Sequence, residues 1–173
     1  MIIRNVVADD AKDLLNIYKY YVTNTAITFE IDIPSLEEFQ KRIENIIKKF
    51  PYICIELDNK IIGYAYSHEF NNGREAYRYS NEVTIYLDKD YKHNGYGKLL
   101  YNELESRLKK LGIINLYACI SSTIKSDEYL DNNSELFHNH LGYKKVGEFK
   151  KCGYKFNRWY DMIWMEKIIG CHK

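Results

Sequence analysis

The chain has little of what would commit it to a stapled, membrane-spanning or nucleic-acid-coating protein. Its formal net charge is only +1 over 173 residues, so it has no bulk charge with which to hold a nucleic acid. No apolar run approaches the length that crosses a bilayer, and Met1-Ile2-Ile3-Arg4 is no signal peptide; no membrane partner is expected, and the cytoplasm is the expected location. The four cysteines, Cys54, Cys119, Cys152 and Cys171, contain no Cys-x-x-Cys spacing and no neighbouring histidine set, so no metal is expected. Cys54 and Cys119 lie inside apolar, strand-like runs and read as reduced, buried thiols. Repeats, linkers and low-complexity tracts are missing, which leaves one domain over residues 1–173 as the simplest organisation.

What is present fits a soluble globular protein: 46% apolar and 28% charged residues, with 17 tyrosines that suit a strand-rich domain. Ile2 to Val7 reads as a strand. Asp9 or Asp10 can cap a helix whose apolar face includes Leu14, Ile17, Tyr18, Tyr21 and Val22. Pro34-Ser35-Leu36-Glu37-Glu38 carries a capping box, and the helix after it should bury Phe39, Ile43, Ile46 and Ile47 and stop before Pro51. Tyr52 to Leu57 and Ile61 to Phe70 form a predicted hairpin around Asp58-Asn59-Lys60. Val83 to Leu87 is a fourth strand. A helix follows from Gly97 to Leu111, with Leu100, Leu104, Leu108 and Leu111 on one face and Gly112 as its stop. Ile113 to Ile120 is the next strand; strand, helix and strand over this length imply a right-handed parallel crossover. Ser121 to Asn132 reads as a polar loop and Ser134 to Leu141 as a short helix. Tyr143 to Lys151 and Arg158 to Ile168 complete a mixed α/β sheet.

The stretch Lys92-His93-Asn94-Gly95-Tyr96-Gly97-Lys98 stands between the fourth strand and the third helix. A glycine-containing loop there aims backbone N–H groups and the positive end of a helix dipole at one spot, with Lys92 and Lys98 adding charge. Such a loop suits a phosphate, although a Gly-x-Gly before a helix is as readily a tight connection. The dinucleotide fingerprint fails, because Leu100 stands where a third glycine belongs. The P-loop fails too, because Lys92 stands where its first glycine belongs.

Lys92 to Gly97, and Leu141-Gly142-Tyr143 at the end of the late helix, together resemble the acetyl-CoA motif and late helix of the GNAT superfamily of N-acetyltransferases. Asn24-Thr25 before Phe29, Gly63-Tyr64-Ala65-Tyr66, Arg74-Glu75-Ala76-Tyr77, Glu82 before Thr84-Ile85-Tyr86, and Cys152-Gly153-Tyr154 resemble its phosphinothricin N-acetyltransferase branch. The resemblance implies a mostly antiparallel mixed sheet with helices on both faces and one parallel pair splayed around acetyl-CoA. It implies that the backbone of Ile85, Tyr86 and Leu87 pairs with pantetheine amides and that the N–H groups from His93 to Lys98 hold the pyrophosphate. It implies a backbone N–H near Tyr86 or Leu87 for the oxyanion, and a homodimer as the assembly. By residue pattern alone Glu82 is more readily a solvated glutamate than a base; the resemblance makes it the general base and His138 the candidate acid for the leaving thiolate. Phe29, Arg74 and Tyr77 would surround a small-molecule amine, Arg74 pairing with a substrate carboxylate or phosphinate.

Several residues depart from the pattern. Lys92 replaces arginine or glutamine, and His93 occupies a common glycine position, tolerable only if its φ is negative. Asp131 stands at a CoA-contacting asparagine, so Asn132 or Asn133 would serve instead; Asn133 is the candidate. Asn72 replaces a second basic residue near Arg74, weakening the fit to a doubly anionic acceptor. Protein N-terminal acetylation and a non-catalytic acyl-CoA sensor are the rival readings.

Overall fold

The computed structural model describes residues 1–172. Seven strands form one sheet in the order β1-β2-β3-β4-β5-β7-β6. These are β1 (Ile2–Asn5), β2 (Tyr52–Leu57), β3 (Lys60–Glu69), β4 (Ser80–Leu87), β5 (Asn115–Ser122), β6 (Lys144–Lys155) and β7 (Arg158–Ile168). Four helices accompany them: α1 (Ala11–Asn24), α2 (Leu36–Ile47), α3 (Tyr96–Lys110) and α4 (Asn133–His140). Every neighbouring pair is antiparallel except β4 and β5. Those two are joined through α3, the crossover that a parallel pair requires.

Alternation along the strands divides the interior in two. Cys54 and Tyr64 face α1 and α2, packing with Leu14, Tyr18, Tyr21 and Ile43. Ile53, Ile55, Ala65, Val83, Leu116 and Ala118 face the other way, against Leu100, Tyr101, Leu104 and Leu108 of α3. Many of the tyrosines are thereby used as flat, half-polar core residues; Tyr86 touches Tyr18 and Tyr21 edge-on, with ring centroids 4.9 Å apart in both pairs.

Local signals act as their chemistry suggests, with exceptions at element ends. Ser35 accepts a hydrogen bond from the Glu38 N–H at 3.1 Å, but the Glu38 carboxylate turns to Arg42 instead of closing the box. Asp58 and Asn59 both take positive φ, the two-residue hairpin turn that suits twisted strands. Asp10 precedes α1 without capping it; its carboxylate binds Arg4 and the Val7 N–H. Ile47 and Leu111, expected on buried faces, lie in the last turn of α2 and just past α3 and are exposed. The fourth strand begins earlier than expected, at Ser80, which places Glu82 inside the sheet. The polar loop is shorter than expected because Ser121 and Ser122 continue β5.

Candidate active site

Pairing between β4 and β5 lasts only from Ser80–Asn115 to Glu82–Tyr117. Beyond Glu82 the strands part. β4 stays bonded to β3 as far as Leu87, and β5 stays bonded to β7 as far as Ser122. Each arm of this fork is therefore held by its outer neighbour while its inner edge lacks a strand partner. A cavity of about 330 Å³ occupies the fork, with Glu82, Thr84, Tyr86, Cys119 and Phe29 among its walls.

The cavity reaches both faces of the sheet. Alternation puts Glu82, Thr84 and Tyr86 on the face of α1 and α2, opposite His68, Tyr66 and Tyr64 in register. Tyr101 and His138 line the fork from the other face, where α3 and α4 pack. Glu82 is the last residue of β4 paired with β5, so the backbone fixes its position while its side chain stands at the opening. Burial raises its carboxyl above the ordinary carboxylate range, and His68, with Nε2 at 3.8 Å, pulls in the opposite direction.

His138 is buried, and both ring nitrogens are engaged. Nδ1 lies 2.7 Å from the Ser134 carbonyl, which can only accept, so this nitrogen carries the proton. Nε2, 3.0 Å from the Tyr101 hydroxyl, then accepts from it. Burial pulls the imidazole down to about 4, against the upward pull of the Ser134 carbonyl. A neutral ring whose one proton is already donated is a poor acid for the leaving thiolate, contrary to the expectation from sequence. Tyr101, to which the sequence analysis assigned no role, lines the fork beside His138 and is hydrogen-bonded to it.

The loop after β4 bears the marks of an anion cradle. None of the backbone N–H groups from His93 to Lys98 donates to an acceptor among the described residues. Gly95 has φ +81, and a Cβ there would meet nothing within 4 Å, so its open side faces space. His93 also adopts positive φ, +63, where a negative value was expected. This left-handed residue costs about 1 kcal/mol and is more tolerable for histidine than for branched side chains. Successive turns of this kind gather N–H groups into a concave anion site. Gly97 is needed for packing: a Cβ there would stand 3.1 Å from the Phe137 ring of α4.

Lys92 is half-buried, with Nζ over the rings of Tyr21 at 4.8 Å and Tyr20 at 5.7 Å. Burial lowers its pKa and Asp131 raises it, so Asp131 acts as a counter-charge to this lysine. Asn133 heads α4 with its amide donating to Asp131. Asn94, Tyr96 and Lys98 lie around the start of α3, Asn94 and Lys98 exposed.

On the acceptor side the expectations divide. Phe29 lines the fork; its ring lies so close to Gly153 that a Cβ there would stand 2.4 Å away. Its loop is tied down by Lys155, whose Nζ donates to the Thr28 carbonyl at 2.9 Å. Arg74 and Tyr77 do not line the fork. Two short 3-10 turns, with Asn71, Asn72 and Gly73 at positive φ, carry them outward, and Tyr77 packs edge-on against Phe70. Cys119, expected to be buried, is exposed as a residue along the cavity wall, while the wall packed around its thiol, and then Glu82, push that thiol up to about 12.

A family model for the acetyltransferase (GNAT) domain matches residues 3–164. The chain belongs to the GNAT acetyltransferase family. It is 29% identical over 171 residues to the phosphinothricin N-acetyltransferase of Streptomyces coelicolor, covering 96% of this chain and 95% of that relative. The crystal structure of a GNAT phosphinothricin acetyltransferase from Sinorhizobium meliloti in complex with acetyl-CoA superposes with a TM-score of 0.88 at 33% identity, covering 98% of this chain and 88% of that one. A ribosomal-protein-alanine N-acetyltransferase from Brucella melitensis superposes equally well, TM-score 0.88 at 28% identity, covering 97% and 99%. Family membership makes the protein an acetyltransferase, and the fork and the N–H-rich loop suit acetyl-CoA: one offers unpaired strand edge to an amide-bearing arm, the other offers donors to a pyrophosphate.

His138 gives a pH test of this geometry. The unfolded chain binds a proton at this position near 6.5, whereas the native state binds it only near 4. Between those values the unfolded state holds more protons, so stability should fall as pH falls through the window, by about 3 kcal/mol from this group. Chemical denaturation at a series of pH values should show that slope, and His138→Gln should flatten it; an unchanged slope in the variant would contradict a buried neutral imidazole.

Proposed function

We propose that the protein moves an acetyl group from acetyl-CoA onto the primary amine of a small molecule, an amino acid or analogue of the phosphinothricin or methionine sulfone kind, with Glu82 as general base. The observation that carries this reading is the position of Glu82 at the last paired residue before the fork. A base is useful only beside the carbon under attack, and the fork is where the two strands leave room for a thioester.

Acetyl-CoA supplies the activated acyl group when bound. Ile85, Tyr86 and Leu87 offer a strand edge to the pantetheine amides, and a backbone N–H near Tyr86 or Leu87 receives the oxyanion. The N–H groups from His93 to Lys98, with Lys92 beside them, bind the pyrophosphate, and Asn133 stands at the neighbouring helix start. Glu82 takes the proton that the ammonium must lose before or during attack. His138 contributes by holding the Tyr101 hydroxyl; a thiol with an ordinary pKa of about 8.5 leaves well enough without a strong acid.

Direct attack is favoured over an acetylated cysteine. Cys119 is the thiol on the cavity wall, and a pKa near 12 leaves almost no thiolate at neutral pH. The cavity also favours a compact acceptor over a peptide terminus, because the Phe29 loop is fastened by Lys155 and packed on Gly153. The family likeness to a protein N-terminal acetyltransferase makes an alanine-initiated peptide a necessary control.

Thiol release from acetyl-CoA, measured over free amino acids, amino-acid sulfoximines and sulfones, phosphinothricin, polyamines and an alanine-initiated peptide, should show turnover with a small amine. Release with the peptide alone would overturn the acceptor class, and binding without turnover on every amine would favour a sensor. With the best acceptor, Glu82→Gln should lower kcat by about 10²–10⁴-fold with acetyl-CoA affinity kept; an unchanged kcat would remove Glu82 from the mechanism. Cys119→Ala should keep the rate, and an inactive but folded variant would point to an acyl-enzyme. By pressing on Phe137, Gly97→Val should weaken acetyl-CoA binding in calorimetry, and normal affinity would count against the loop as its anion site.

A further inference from the structure

Acetylation of an ammonium releases one proton per turnover. As the N–C bond forms and the C–S bond breaks, R–NH3+ gives up two protons: one neutralises the coenzyme A thiolate and the other has to leave the protein. Glu82, in the base role proposed above, can receive that second proton. It then has to lose it before the next cycle, from a carboxyl whose burial favours the protonated form.

The structure holds a second cavity of about 690 Å³ beyond the fork, walled by Glu69, Phe70, Asn71, Asn72 and Trp164. Two residues line both cavities: Glu82 and His68. They face each other across β4 and β3 in register, with His68 Nε2 3.8 Å from Glu82 Oε1. That separation is one bridging water or a small side-chain adjustment from proton-transfer distance. The other ring nitrogen sets the direction. His68 Nδ1 lies 3.0 Å from the Glu69 carbonyl, which can only accept, so in its neutral form the ring keeps its proton on Nδ1 and leaves Nε2, the atom nearest Glu82, as the acceptor. The His68 side chain is 39% exposed, within reach of solvent in the outer cavity.

We propose that His68 relays the acceptor's proton from Glu82 to the outer cavity, as a positioning and relay residue acting through Glu82. In each cycle the Glu82 carboxyl gives its proton to Nε2, and the imidazolium passes a proton to water. This rests on Glu82 being the base. The other ionisable groups around the pair are poor carriers: the hydroxyls of Tyr66 on β3 and Tyr101 on α3 are pushed up by burial, and burial takes Tyr117 and Cys119 on β5 up to about 12. Glu69, next to His68, is paired with Lys49 at 2.6 Å.

The test is kinetic, on the full chain with its best acceptor. His68→Gln and His68→Ala should each lower kcat by about 10-fold or more, below the ~10²–10⁴-fold range of a direct base, with KM for acetyl-CoA and the melting temperature little changed. Added imidazole should restore kcat of His68→Ala in a concentration-dependent way, and weaker buffer bases should restore it less. Wild-type kcat in both variants would overturn the relay, as would a loss that no small base repairs. Glu82→Gln, assayed alongside, separates the two proposals: an inactive Glu82→Gln beside fully active His68 variants refutes the relay alone, whereas an active Glu82→Gln refutes both.

Discussion

The structure depends on a sheet that stops pairing in its middle. Beyond Glu82 the strand edges of β4 and β5 face each other without bonding, while each strand stays paired with its outer neighbour. Backbone donors and acceptors left without partners in a half-buried place are costly. A ligand that carries amides in an extended arm meets that need as a strand would. In the proposed function the fork is thus both a structural gap and the place where the reacting carbon lies.

The two faces of the sheet then divide the work. On the α3 and α4 face, Tyr101 and His138 form a closed, neutral pair whose protons are all committed. On the α1 and α2 face, Glu82 and His68 stand 3.8 Å apart and line the outer cavity as well as the fork. In the proposed mechanism, charge that develops during transfer is handled on the face of Glu82 and His68, away from the committed protons of Tyr101 and His138. In the loop from Lys92 to Lys98 the backbone N–H groups of residues 93–98 are left open among the described residues, as the proposed anion site requires, and half-buried Lys92 has aromatic rings and Asp131 beside it.

Much of this is legible in the sequence where periodicity or turn chemistry decides. The α2 cap at Ser35, the Asp58-Asn59 turn and the crossover through α3 are local signals that the packing respects. Ile47 and Leu111 keep the helical period at the ends of their helices yet lie exposed, so period alone overstates burial there. The fork cannot be read from strand composition, because Val83 to Leu87 would look the same fully paired; only likeness to a family suggests it. The pairing of His68 with Glu82 is invisible for another reason. The register between β3 and β4 is set across Phe70 to Tyr77, where left-handed Asn71 and Asn72 make two turns that no periodicity foretells, and the same turns carry Arg74 away from the site. At His93 the steric argument for a negative φ failed, because the loop's need to turn outweighs a cost of about 1 kcal/mol.

The central claim is that the fork, ending at Glu82, receives the thioester. A crystal structure of the protein with bound acetyl-CoA tests it most directly. The expected result is a pantetheine arm hydrogen-bonded to the backbone of residues 85–87, the pyrophosphate against the N–H groups of residues 93–98, and the acetyl carbonyl carbon beside the Glu82 carboxylate. A pantetheine arm lying outside the fork, or an acetyl group on the Tyr101 and His138 face out of reach of Glu82, would contradict it.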